Sequence, residues 1–156
     1  MASFPTYQQI VEEFRTACTE HLAIHTFGEG SIDRLDSVLQ NNLYCMAFLR
    51  PLSSQGMILN NNGVSGARAL NFELYMIDIP KLTDTDVLKL QSQTEMYLYD
   101  IISYFNLGHS QQVQFVGLNS ILPLYEAFND RVCGWIGNIT VTTVGNLDFC
   151  NFPKLT

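Results

Sequence analysis

Residues 69–80 read A-L-N-F-E-L-Y-M-I-D-I-P and carry a clear strand pattern. The apolar residues at every second position are Leu70, Phe72, Leu74 and Met76. A repeat of two is that of a β-strand, whose side chains point alternately to opposite faces of a sheet. Pro80 cannot donate to a sheet ladder and ends the pattern. The stretch therefore predicts a strand over residues 69–79.

Helices are predicted on both sides of this strand. From Val87 to Phe105 apolar residues recur every three or four positions, which is typical of an amphipathic helix. A similar stripe follows Thr6 and Gln9 near the start of the chain, and these two residues have the spacing of a capping box. F-G-E-G at residues 27–30 predicts a turn after that first helix.

Three further segments are predicted as strands: residues 44–49, 113–116 and 132–144. In the last of these the apolar positions change phase around Gly137, which predicts a β-bulge there. Residues 31–42 fit a short helical turn. The order of elements predicts an α+β fold, with an antiparallel sheet of about four strands and helices packed on one face.

The connection between the first two strands is long, polar and rich in glycine. Residues 52–68 include S-S-Q-G and N-N-N-G-V-S-G, and we expect an extended loop or arm there. Connections of this length in compact domains are uncommon unless they are functional. Residues 145–156 are expected to form an irregular C-terminal tail. A chain of 156 residues has the length of a single domain, which we place at 1–156.

The composition excludes several classes of protein. Apolar residues make up 47% and charged residues 15% of the chain, below the roughly 25% charged residues of soluble domains. The net charge of −7 repels phosphate and argues against sequence-specific nucleic-acid binding. The sequence contains neither a membrane-spanning apolar run nor the basic and apolar regions of a secretory signal. A surface so poor in charge favours a component of an assembly, partly covered by other subunits.

Known catalytic motifs are missing from the sequence. It contains no G-x-S-x-G nucleophile and neither of the common glycine-rich phosphate loops. The four cysteines, Cys18, Cys45, Cys133 and Cys150, are scattered, and we expect free buried thiols. We therefore predict a protein that is not an enzyme and that has no cofactor.

One alternative is a small metal-binding or enzymatic protein that uses Cys18, His21 and His25. Their C-x2-H-x3-H spacing on a predicted helix could begin a zinc site, with a fourth ligand from elsewhere. The competing interpretation is that Cys18 packs in the core and the histidines lie at the helix end. A soluble adaptor that regulates another protein is a third hypothesis.

Two longer stretches support a resemblance to a known class of proteins. Residues 69–105 combine the strand above with the helix that contains Q-S-Q-T and D-I-I. Residues 124–141 read L-Y-E-A-F-N-D-R-V-C-G-W-I-G-N-I-T-V. Together they resemble neck, tail-terminator or head-tail connector ring proteins of tailed bacteriophages, including crAss-like phages.

The resemblance implies a structural virion protein that is assembled in the host cytoplasm. Its copies would form a ring of six or twelve, bordered by portal, connector or tail proteins, through which DNA passes without specific binding. In such a ring, residues 52–68 would reach a neighbouring subunit, and the tail from residue 145 would dock in the same way. The resemblance supplies no catalytic residues and implies no membrane partner. An acidic protein suits a channel that must not retard DNA.

We expect contacts between subunits to involve a small set of residues. Trp135, the only tryptophan, is either a core residue or an interface anchor. Arg131, beside Asp130, either forms a salt bridge across a subunit boundary or is a solvated charge. The complete predicted interface set is Arg50, Asn61, Arg68, Arg131, Trp135 and Phe152.

Overall fold

The computed structural model describes residues 2–39, 44–80, 84–127 and 132–147. In chain order the elements are α1 (Tyr7–Glu20), β1 (Thr26–Glu29), α2 (Ile32–Leu39), β2 (Met46–Leu59), β3 (Ser65–Asp78), α3 (Asp84–Asn106), β4 (Phe115–Ala127) and β5 (Val132–Asn146). The predicted α+β class is confirmed. Within the described ranges, no helix is long and apolar enough to cross a membrane.

The helix start predicted from Thr6 and Gln9 is confirmed. The Thr6 hydroxyl accepts a 3.2 Å hydrogen bond from the Gln9 amide, and the Gln9 side chain accepts a 2.7 Å bond from the Thr6 amide. This capping box satisfies backbone donors that the first turn of α1 leaves unpaired. It fixes where α1 begins against the sheet.

The strands form one mostly antiparallel sheet in the order β1-β2-β3-β5-β4. The expectation of about four strands is close to the five in the described part of the chain. The additional strand is β1, which occupies most of the segment predicted as a turn at residues 27–30. It pairs in parallel with Met46–Leu49, and the His25 and Gly30 amides donate to the carbonyls of Cys45 and Leu49.

The predicted loop at residues 52–68 is instead mostly β-structure. β2 continues to Leu59, β3 starts at Ser65, and the two pair down to Leu59 opposite Gly66. Asn62 holds the turn, because its side-chain oxygen accepts from the amides of Val64 and Ser65 at 2.9 and 3.1 Å. Register shifts between Pro51 and Gly56 interrupt the alternation in β2, so the sequence pattern there does not resemble a strand.

The two faces of the sheet are covered differently. α1 and α3 pack on the face that carries Phe72, Leu74 and Met76 of β3. On the opposite face, Leu35 of α2 packs with a smaller cluster that includes Tyr75 and Ile77. Two of the three helices therefore share one face, as expected, whereas α2 covers part of the other.

The bulge predicted at Gly137 is not found there. Gly137 pairs regularly with Leu74 on one side and Ile121 on the other, and the register shift lies in β4, between Leu118 and Ser120. The apolar phase changes because the first part of β5 is covered on both faces and the later part on only one. Gly137 instead makes room for α3, since an added Cβ would lie 3.1 Å from the methyl carbons of Leu98.

The end of β5 meets the start of the chain. Gly145 and Asn146, predicted as part of an irregular tail, belong to β5, and residues 148–156 lie outside the described ranges. Asn146 exchanges backbone hydrogen bonds with Ala2 and Phe4. The N-terminal segment therefore runs beside β5 at the point where β4 has not yet begun.

Candidate functional site

Cys18 and His21 lie at the end of α1 but point to different surroundings. Cys18 is 1% exposed, and burial raises the pKa of its thiol to about 12. His21 Nε2 lies 3.0 Å from Asp100 Oδ2, and His21 Nδ1 accepts a 3.1 Å hydrogen bond from the Ala23 amide. Because Nδ1 accepts from the backbone, it is Nε2 that faces the Asp100 carboxylate. Both ring nitrogens thus have partners, and the contact through Nε2 joins the end of α1 to α3.

His25 does not join these two residues in a metal site. α1 ends at Glu20 and His21 has extended backbone angles, so the helical spacing that would align the three side chains stops before His25. Among the residues that the structure describes, no group of three His, Cys, Asp or Glu could hold a metal ion. The three residues with the C-x2-H-x3-H spacing therefore do not form a metal centre in this fold.

The other described cysteines are also buried and free. Burial raises the pKa of Cys45, with a further contribution from Asp78, and raises the pKa of Cys133 to about 11. The thiolate is the nucleophilic form of cysteine, so at neutral pH these groups are protonated and unreactive. The predicted free, buried thiols are confirmed for Cys18, Cys45 and Cys133, while Cys150 lies outside the described residues.

A cleft of about 340 Å³ between α1 and α3 brings several titratable groups together. Its lining includes Glu20, His21, Asp100, Tyr104 and His109. The Tyr104 and His109 rings stack with centroids 5.1 Å apart, and burial followed by the Glu20 charge raises the pKa of Tyr104. Because His21 is bound to Asp100 and to the backbone, its ring is not a free general base in this arrangement.

Two arginines of the predicted interface set make contacts within the chain. Arg50 Nη1 lies 3.0 Å from Glu73 Oε2, which also accepts a 2.9 Å hydrogen bond from the Tyr75 hydroxyl. Arg68 donates to the Pro5 carbonyl, and its guanidinium lies 5.8 Å from the centre of the Phe4 ring. Burial lowers the pKa of Arg68. Arg68 therefore fastens the N-terminal segment to the sheet.

The remaining members of that set have different positions. The Trp135 indole N–H donates a 2.8 Å hydrogen bond to the Gln91 carbonyl, and its ring packs against the main core, which is the first of the two roles expected for it. Asn61 is exposed in the β2–β3 turn. Arg131 and Phe152 lie outside the described residues.

Sequence reasoning missed an apolar surface at the end of the β2–β3 hairpin, which we call the hairpin tip (Gly56–Ser65). Met57 and Leu59 are partly exposed and Ile58 is 81% exposed. β1 borders β2 only along Met46–Leu49, so in the described part of the chain no strand lies outside β2 from Arg50 onward. From Met57 to Leu59 the hairpin tip thus combines a backbone edge that no described strand covers with apolar side chains.

A second such surface lies at the other end of the sheet, along the outermost strand, and we call it the β4 edge (Phe115–Tyr125). Its large apolar side chains that are at least one-third exposed are Phe115, Leu118, Leu122 and Tyr125. Tyr125 is 64% and Leu122 is 61% exposed. Exposed apolar surface gathered along one element is typical of an interaction site, whereas isolated exposed residues are not.

A signal for both surfaces was present in the sequence. Residues 51–67 and 101–125 contain no Asp, Glu, Lys or Arg, although the chain as a whole carries a net charge of −7. The hairpin tip lies within the first of these uncharged runs and the β4 edge within the second. Uncharged runs that fold into exposed strands are therefore the feature that could have located them.

Neither a scan against protein-family models nor a search of curated proteins finds a match for this sequence. The interpretation of function therefore depends on the two surfaces and on the resemblance carried by residues 69–105 and 124–141.

Proposed function

We propose that this protein is a structural component of a phage virion. Its copies form a ring in the neck or tail, as a head-tail connector or tail terminator, and DNA passes through the ring. The observation that carries the proposal is the pair of uncharged, apolar edges at opposite ends of one sheet. Each copy thereby offers two different surfaces to its neighbours.

Two different surfaces on one chain suit a closed ring. When one surface of a subunit binds a different surface of the next, the contact is heterologous, and it generates a ring if the rotation between subunits closes. A free strand edge also exposes unpaired backbone donors and acceptors that a neighbour can satisfy. The hairpin tip meets both conditions from Met57 to Leu59, and the β4 edge meets them between Val116, whose amide and carbonyl are bonded to the Asn106 side chain, and Pro123.

The distribution of charge supports the same function. The acidic residues Glu12, Glu20 and Asp100 are exposed on α1 and α3, which share one face of the sheet, and none of them lies in the two uncharged runs. Charge on the helices keeps the surface soluble and repels DNA phosphates, so a strand passing along it is not retained. A ring built through the edges would leave this acidic surface uncovered.

The alternative of a metal-binding or enzymatic protein at Cys18, His21 and His25 receives no support from the geometry. Cys18 is buried, and both nitrogens of His21 already have partners. Elemental analysis of the purified protein tests this alternative directly. Stoichiometric zinc in the folded protein would favour it over the ring.

Electron microscopy and native mass measurement of the purified full-length chain test the ring itself. We expect closed particles of six or twelve copies with a central channel. A protein that remains monomeric at every concentration reached would overturn the proposal, and would favour the soluble adaptor.

A further inference from the structure

We propose that the hairpin tip of one copy binds the β4 edge of the next copy. This inference rests on the proposed function, because it names the contact through which the ring would close. It commits to a second copy of this chain as the occupant of both surfaces.

The hairpin tip is free to reach a neighbour. One row of paired residues crosses the sheet: Gly56 of β2, Ala69 of β3, Thr142 of β5 and Phe115 of β4. The first residue of β4 therefore lies at the level of Gly56. The apolar residues Met57, Ile58 and Leu59 lie beyond that level. Neither core cluster includes a residue between Met57 and Ala69. The apolar side chains of the tip therefore contribute little to the core of their own chain.

The β4 edge offers a matching apolar surface. On its inner side β4 pairs with β5 from Phe115 to Ala127, and it is the last strand in the sheet order. On the outer side, free backbone pairing is limited to residues 117–122, because the Val116 amide and carbonyl are bonded to the Asn106 side chain and Pro123 cannot donate to a ladder. A short strand such as the tip fits that stretch better than a long one.

Electrostatics favours a second copy as the occupant. Every copy carries a net charge of −7, so two copies repel each other except where neither surface bears a charge. The uncharged runs at 51–67 and 101–125 are such surfaces. A basic partner protein would instead be attracted to the acidic residues of the helices and not to the uncharged runs.

Coverage of the edges favours a head-to-tail arrangement. A symmetric contact, tip to tip or β4 to β4, stops at two copies and leaves the other apolar edge of each copy in water. The tip-to-β4 contact uses both edges of every copy. It is therefore the arrangement that removes the most exposed apolar surface from solvent.

Complementation between two charge variants tests this contact. Ile58→Asp places a carboxylate on the hairpin tip, and Leu122→Asp places one on the β4 edge. Both positions are exposed, so we expect the variants to fold, which circular dichroism and thermal melting verify. Leu22→Asp is the matched control, because Leu22 is 98% exposed outside both surfaces.

Sedimentation and native mass spectrometry give the readout. We expect each edge variant alone to be monomeric and the control to assemble like the wild type. An equimolar mixture of Ile58→Asp and Leu122→Asp should form one-to-one dimers and nothing larger, because only one intact tip-to-β4 contact is available to each pair.

The other outcomes are distinct from one another. If Ile58→Asp assembles alone, the tip is not required; if Leu122→Asp assembles alone, the β4 edge is not required. Either result, or a mixture that stays monomeric, overturns this contact while leaving the ring intact. A wild-type protein that never assembles overturns the proposed function as well.

Discussion

The two halves of β2 share one strand but lie in opposite environments. Met46, Phe48 and Leu49 are completely buried, between β1 and β3 and beneath side chains on both faces. Met57 and Ile58, farther along the same strand, are exposed. The first half is held by tertiary packing, whereas the second half is held by its pairing with β3 and by the polar side chains of the turn. Stability should therefore depend on the covered half of the sheet, and association on the uncovered half.

Phe14→Ala should give the largest loss of stability. Phe14 is completely buried on the covered half, with its ring centroid 4.4 Å from that of Phe105 and 6.2 Å from that of Phe72. Deleting a buried phenylalanine costs about 3–5 kcal/mol of unfolding free energy. Ile58→Ala on the hairpin tip should change it by no more than about 0.5 kcal/mol. Urea denaturation of both variants measures the contrast, and similar losses would remove the distinction between the two halves.

Substitution by valine should cost more stability at Gly137 of β5 than at Gly117 of the adjoining strand β4. A Cβ at Gly137 would press on the buried Leu98, and overpacking of this kind costs about 1–3 kcal/mol. At Gly117 the nearest atom, on the exposed Phe115 ring, would be 3.5 Å away, which is an ordinary contact. Denaturation midpoints decide the comparison, and an equal loss at both positions would contradict the packing of α3 over Gly137.

Burial of Cys18 in the covered half should also make the free energy of unfolding fall at alkaline pH. Burial raises the pKa of the Cys18 thiol from its ordinary value of 9.0 to about 12, so between these values the unfolded chain releases a proton that the folded chain keeps. The stabilisation is therefore complete below about pH 9 and is lost as the pH rises toward 12, with a slope of at most about 1.4 kcal/mol per pH unit.

Denaturation between pH 8 and pH 11 measures this dependence, with Cys18→Ala as the comparison. The variant should show a shallower fall than the wild type. Ile58→Ala should keep the wild-type slope, because Ile58 is exposed on the hairpin tip. Identical slopes for the wild type and Cys18→Ala would show that Cys18 is not protected in the folded protein.

Arg68→Ala should have a small effect on global stability and a local effect at the N-terminus. Arg68 holds Phe4 and Pro5 against the uncovered half of the sheet. We expect a loss of about 1 kcal/mol, together with faster hydrogen exchange at the Phe4 amide. Arg50→Ala, which breaks the partly exposed pair with Glu73, is the control and should leave exchange at Phe4 unchanged. Unaltered exchange in both variants would show that Arg68 does not secure this segment.

The parts of the fold predicted correctly are those with local signals. α1 follows from the Thr6–Gln9 capping box, and the strand at residues 69–79 follows from strict alternation, since each pattern reflects burial by its own neighbours. β1 was missed because its pairing with Met46–Leu49 depends on contacts distant in sequence. The strand content of residues 52–68 was missed because the hairpin tip lies beyond the core, where polar residues and register shifts are tolerated.

The candidate sites were harder to predict, and for physical reasons. The possible metal site at Cys18, His21 and His25 required a helix that continues to His25, but α1 ends at Glu20. Arg68 was placed in the predicted interface set, but its contact with Pro5 joins residues far apart in the chain, which no local pattern indicates. The exposed apolar strands could be found only by combining the uncharged runs with the sheet order.

In a ring joined through it, the β2–β3 hairpin lets the diameter of the ring change without a change in the folding stability of each copy. Two residues added to each of its strands beyond Gly56 would lengthen it by about 7 Å. Phe14, Phe72 and Phe105, which anchor the core, would keep their contacts. The diameter of a ring joined through this hairpin can thus drift by insertions near Asn61, while the folding stability of each copy stays the same.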